Sequence, residues 1–119
     1  MHISEIDNTL LCSFSERLDG LVCSAVEQEL SQRIAEFKDT HKDPCLVFDL
    51  AEVPFVSSPF LRICLMNRKA FGEDHFTVTN VSAEIYKVFY ISGFTEFMKI
   101  ISRVPEQNTS ETKRKETAV

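Results

Sequence analysis

The stretch "CLVFDLAEVPFVSSPFLRICLMNRKAFG", Cys45 to Gly72, decides the fold. It opens on a short, nearly continuous apolar run, "CLVFDL", the pattern of a strand buried on both faces. The irregular "AEVPFVS" follows, and then a run whose apolar spacing predicts a helix from about Pro59 to Phe71, closed by Gly72 in the C-terminal capping position. The join is "VSSPF". A serine oxygen can accept from an early helix N–H, and proline at the first helical position gives up only a donor that lacks a partner there. Ser58 followed by Pro59 therefore reads as a helix start, with Ser58 as its cap. On that helix Leu61, Cys64 and Leu65 suit the face toward a sheet, which leaves Arg62, Met66 and Lys69 on the opposite stripe.

Working outward, residues 9–15, "TLLCSFS", alternate partially and read as a strand. In "GLVCSAVEQELSQRIAEFK" the period changes: Val22, Val26, Leu30, Ile34 and Phe37 recur at steps of three and four, one apolar stripe of a helix. "DTHKDP" is a polar break. Downstream, "HFTVTNV" reads as another strand, and Ser82 caps a helix "AEIYKVFYIS" with Ile85, Val88 and Phe89 toward the core and Gly93 as its stop. "EFMKIIS" fits a short helix or an edge strand. From Val104 on, "VPEQNTSETKRKETAV" is polar and without periodicity, so the expectation is one ordered domain over 1–103 and a disordered tail over 104–119. Strands alternating with helices imply an α/β domain: three to four helices on a mixed, mostly parallel sheet of four to five strands.

The composition narrows the function classes. A chain of 119 residues with ten phenylalanines and 44% hydrophobic residues can build a core without disulfides or metals. Its net charge of −5 argues against nucleic acid as main partner. No apolar run reaches membrane-spanning length, and the acids near the N-terminus do not fit a signal peptide, so a cytoplasmic location is expected. Cys12, Cys23, Cys45 and Cys64 each lie in an apolar segment and read as reduced core thiols. With three glycines in total there is neither a dinucleotide fingerprint nor a P-loop, and no cofactor is implied. His2, His41 and His75 form no motif with a cysteine or carboxylate, so nothing supplies the nucleophile, base and orienting group of an enzyme. The C-terminal "ETAV", of PDZ-ligand form, and the "KRK" at Lys113–Lys115 read as chance matches.

A phosphate suits Ser58 as well as a cap does. Helix N-termini carry unpaired N–H groups and partial positive charge, and Arg62 lies one turn along on the same face. The stripe of Arg62, Met66 and Lys69, extended by Phe60 and continuous with Ser57 and Ser58, is suited to an acidic, apolar partner surface.

The order of segments also carries a resemblance. "LVFDLAEVPFVSSPFLRICL" is similar to the signature segment of the STAS domain, the family of bacterial anti-anti-sigma factors (anti-sigma factor antagonists), in which a buried strand ends in an aromatic-x-Asp-Ser-small-Gly turn that opens a helix. "FTVTNVSAEIYKVFYISGF" resembles the family's next strand and helix, and "SERLDGLVCSAVEQEL" its segment leading into the first helix. The resemblance covers about residues 9–101. It implies a non-enzymatic switch that binds a serine kinase acting as an anti-sigma factor and is released when that kinase phosphorylates the serine heading the second helix; a separate phosphatase restores the complex. On this pattern Phe55 takes the aromatic position, Ser57 that of the aspartate, and Ser58 that of the phosphorylated serine, with Ser57 as the alternative acceptor. Pro59 and Phe60 stand where the family has a small residue and a glycine, and Arg62 where a second glycine is common. The resemblance also admits a scaffold or accessory module that works without phosphorylation, in a stress-signalling assembly or beside an ABC transporter's ATPase subunit. It leaves the oligomeric state open.

Overall fold

Asp7 and Asn8 turn the chain back on itself between β1 (His2–Ile6) and β2 (Thr9–Ser13), with Asp7 at φ 55° in the left-handed region that two-residue hairpins use. This computed structural model describes residues 1–103. β1 is absent from the sequence reading; "HISEI" is short and mostly polar, and only its antiparallel pairing with β2 makes it a strand. Asn8 then pins a distant loop, its side-chain amide donating to the carbonyls of Lys42 and Asp43 at 2.8 Å each.

The remaining elements follow in simple alternation: α1 (Gly20–Thr40), β3 (Cys45–Asp49), α2 (Ser58–Phe71), β4 (Phe76–Val81), α3 (Ala83–Ile91) and β5 (Lys99–Ser102). A short 3₁₀ turn precedes β4 and another precedes β5. The "EFMKIIS" ambiguity resolves as strand. The sheet runs β1-β2-β3-β4-β5, with β2 to β5 mutually parallel. Each parallel connection steps to the next strand in the same direction. Such crossovers are right-handed, so all three helices lie on one face of the sheet.

Burial follows that topology. Leu10, Cys12 and Phe14 on β2 and just after it, Leu46, Phe48 and Leu50 along β3, and Phe76 and Val78 on β4 are fully buried. Their alternates, Leu11, Val47, Asp49, Thr77 and Thr79, are half-buried on the face without helices. The expectation that "CLVFDL" is buried on both faces is therefore corrected: one face is covered, and the apolar Cys45 and Val47 sit on the other. Asn80, at φ 58°, marks a bulge between β4 and β5 that turns Val81 back into the core.

Phenylalanines fill the space beneath the helices. Phe48 at the sheet centre meets Phe14 edge-on at 5.2 Å between ring centroids and Phe76 at 5.1 Å. Phe60, from the first turn of α2, closes the cluster against Phe14 at 5.5 Å and Phe48 at 5.8 Å. Phe60 is fully buried, so its expected place in a partner-binding strip is wrong. The α2 face toward the sheet is Phe60, Ile63 and Cys64, with Leu61 and Leu65 half-buried beside it. On α3 Ile85 and Phe89 are buried as expected, whereas Val88 is exposed. On α1 Val26, Leu30 and Phe37 are buried, joined by Cys23, while Val22 and Ile34 lie at the margins.

All four cysteines are free thiols, and Cys12, Cys23 and Cys64 are buried. Among the described residues no helix is long and apolar enough to cross a membrane, and no cluster of His, Cys, Asp and Glu has metal-site geometry. The expected polar tail over 104–119, with its "KRK" and "ETAV", lies outside the described residues.

Two outcomes follow from this core. Phe60→Ala removes the ring that closes the cluster from the helix side and should cost about 3–5 kcal/mol in urea unfolding, the range for a buried aromatic truncation. Burial pushes the Cys12 thiol up from 9.0 to about 12 and drives Cys64 well above the usual range. A thiol whose pKa is raised by folding stabilises fully below its unfolded value and loses that contribution as pH climbs to the folded one. The urea midpoint should therefore fall progressively from about pH 9 toward pH 12, less steeply in Cys12→Ala.

Candidate functional site

Two loops meet where α1 and α2 begin. The Leu18 N–H donates to the Phe55 carbonyl at 3.0 Å, and Leu18 and Val56 form an isolated parallel bridge. The Ser57 hydroxyl donates to the Leu18 carbonyl at 2.6 Å, and the Cys23 thiol approaches the same oxygen at 3.6 Å. Burial raises the Cys23 pKa, against the lowering effect of its contact with Ser57. Asp19, the next residue, caps α1: its Oδ1 accepts from the Val22 N–H at 3.0 Å. A Cβ on Gly20 would lie 4.0 Å from the Pro59 ring, so the two helix starts stand side by side.

This arrangement changes the roles of the two serines. Ser57, extended at φ −120° and ψ 172°, is the N-cap of α2 by its backbone, and its carbonyl accepts from the N–H groups of Phe60 and Leu61. Its side chain makes no capping bond because it is committed to Leu18. Ser58, expected as the cap, is instead the first helical residue, and its side chain is exposed. Pro59 has no N–H and that of Phe60 is bonded, so Ser58 supplies the free donor of the first turn.

Successive helical residues turn by about 100°. Ser58, Arg62 and Lys69 consequently fall on the outward stripe of α2, and all three are exposed. Met66, 50% exposed, is turned toward α1 and lines a cleft of ≈ 140 Å³ with Leu30, Ile34 and Ile63. Of the six residues expected to meet a partner, the structure therefore brings Ser58, Arg62, Met66 and Lys69 onto one surface. Ser57 sits half-buried beneath it and Phe60 in the core.

The sequence reading missed two neighbours. Leu21, in the first turn of α1, is 86% exposed, and Arg17 lies over the Phe55 ring at 4.0 Å from its centroid. Leu21 had a signal, since it falls outside the apolar stripe of its own helix. Arg17 had none, because its partner lies on the other loop.

The chain resembles a protein of known structure. It matches the crystal structure of an anti-sigma factor antagonist from Mycobacterium paratuberculosis with a TM-score of 0.71 and 22% identity, over 84% of this chain and 82% of that one. No family model matches the sequence, and no curated protein matches it. At this identity the likeness is one of fold: the STAS-like α/β fold implied by the sequence motifs is the fold observed.

The two serines should separate in stability measurements. Ser57→Ala strips the Leu18 carbonyl of its hydroxyl donor and should cost about 1–3 kcal/mol in urea unfolding. Ser58→Ala, on an exposed side chain, should stay within about 0.5 kcal/mol of the parent.

Proposed function

We propose that this chain is a non-enzymatic regulator that works by binding a protein partner in the manner of an anti-sigma factor antagonist, and that phosphorylation of Ser58 by a partner serine kinase switches it. The observation that carries this reading is the exposed Ser58 at the head of α2, in line with Arg62 and Lys69, on a fold shared with an anti-sigma factor antagonist. A phosphoryl group at Ser58 adds about −1.5 to −2 charge at the positive end of the helix dipole. Arg62, one turn away, is placed to pair with it. Neither side chain belongs to the core, so the modification alters the surface a partner meets and leaves the packing beneath it in place. A phosphatase would restore the original surface, and the setting would be the cytoplasm.

The partner-facing surface in this reading is Ser58, Arg62, Met66 and Lys69, flanked by Arg17 and Leu21. Its chemistry suits an acidic surface with an apolar centre: cations rim the patch, while Met66 and Leu21 supply the apolar contact.

A second reading is favoured by Pro59. With one free N–H in the first turn, α2 offers a phosphate less than an ordinary helix start does. That favours a phosphorylation-independent scaffold or accessory module using the same surface.

Incubation with the partner kinase and ATP, followed by peptide mass spectrometry, separates the two. The switch reading expects one phosphate in the peptide spanning Ser57 to Arg62, its absence in Ser58→Ala, and loss of partner binding on phosphorylation. Binding with no phosphate on that peptide selects the second reading. Unchanged partner binding by both Arg62→Glu and Met66→Asp removes the surface itself.

A further inference from the structure

We infer that this chain forms a twofold homodimer in which β5 pairs antiparallel with β5 of a second copy, joining the two sheets and setting the two α3 helices side by side. The inference is independent of the proposed switch and uses none of its residues.

The first observation is the edge. β5 bonds to β4 on one side, and among the described residues no strand occupies the other. Natural edges are blunted by shortness, charge, proline or a covering segment, and β5 uses the first two, with four residues and Lys99 among them. Over its four residues, "KIIS", β5 carries one charge and two isoleucines, and Ile101 on the helix-free face is 47% exposed.

The second observation is the flank of α3 above that edge. With Ile85 and Phe89 buried, steps of about 100° turn Tyr86 and Tyr90 to one flank and Val88 and Ile91 to the other. The right-handed crossover from β4 to β5 puts the tyrosine flank on the β5 side. α2 obeys the same handedness: Ile63 and Met66 face α1 across the cleft, and Arg68, on the opposite flank, donates to the Phe97 carbonyl just before β5 at 2.9 Å. Tyr90, 66% exposed, therefore overhangs a strand edge that no other described strand covers. Tyrosine is a favoured anchor at interfaces, with a large apolar ring and a polar tip.

The flank is self-complementary, as a twofold contact requires. Two antiparallel copies of α3 centred between Tyr86 and Lys87 place Tyr90 of each against Ala83 of the other, large against small. The spacing also fits. Strands stand about 4.8 Å apart, and a helix over the β4–β5 pair lies about half that distance inside β5. Two such helices across a continuous sheet are about 10 Å apart, the distance at which helices pack. The opposite edge does not fit. α1 covers β2 and β3, so pairing through β1 would leave its two copies about 20 Å apart, and the flank there is occupied by the Glu5–Arg33 ion pair at 3.4 Å.

Sedimentation equilibrium of the full chain over a micromolar concentration series tests this. The expected mass at high concentration is twice 13.6 kDa under reducing conditions. Tyr90→Glu and, separately, Ile101→Lys should each weaken self-association roughly thirtyfold or more, with unchanged circular dichroism and, at concentrations where the parent is monomeric, an unchanged melting temperature. Should Tyr90→Glu fail to fold, Ile101→Lys decides alone. Mixing Ala83→Cys with Tyr90→Cys should give an oxidative cross-link between copies that the parent lacks. A monomer at every concentration overturns the inference. So does a dimer insensitive to both substitutions, or a monomer that dimerises only after removal of residues 104–119, which would assign the edge to the chain's own C-terminal segment.

Discussion

The carbonyl of Leu18 accepts the Ser57 hydroxyl at 2.6 Å while its N–H donates to Phe55, tying together loops 39 residues apart. Both helix starts hang from this tie. Asp19, immediately after Leu18, caps α1, and Ser57 itself begins α2. A shift of either loop would therefore move both helices. The tie is partly buried, beside the buried Cys23, where an orphaned carbonyl costs about 1–3 kcal/mol, so its geometry is strongly held. Because the Ser57 hydroxyl is used there, α2 begins without a side-chain cap, and the outward direction of the next residue, Ser58, is fixed.

The second constraint is topological. Three crossovers advancing the same way put every helix on one face, and the aromatic cluster of Phe14, Phe48, Phe60 and Phe76 lies between those helices and the sheet. One layer of helices over one sheet leaves three distinct outer surfaces: the helix tops, the helix-free sheet face and the strand edges. The stripe through Ser58 belongs to the first and β5 to the last. The two thus lie on separate outer surfaces of one small domain.

The segments that were legible in the sequence are those whose information is local. The period change after β2, the Ser82 cap, whose oxygen accepts from Ile85 at 3.2 Å, and the Gly72 stop are set by residues within one or two turns. What was not legible depends on distant partners. Ser57 and Ser58 are chemically equal as caps, and the choice falls to Leu18, on another loop. Phe60 was misplaced because apolar spacing in a first helical turn fixes a period but not a phase. One residue of shift at the helix start rotates every side chain by about 100° and exchanges core for surface. The half-open face was hidden for a related reason: "CLVFDL" looks the same whether one layer of helices covers the strand or two. β1 was missed because a five-residue polar strand exists only through its hairpin partner.

The four residues "SSPF", Ser57 to Phe60, also bear on how a charge at Ser58 would act. Ser57 points inward to the tie, Ser58 outward to solvent, and Phe60, past a proline of fixed φ, down into the aromatic cluster. The first turn of α2 is clamped on both sides of Ser58, so it cannot unwind locally without breaking either the Leu18 tie or the phenylalanine packing. Each of those costs more than the few tenths to about 1 kcal/mol that a surface charge at a helix end typically exerts. Added charge at Ser58 therefore has no soft element of this domain to move. Such a charge would act across the surface, on the electrostatics and fit of whatever binds there, with the packing beneath it held in place.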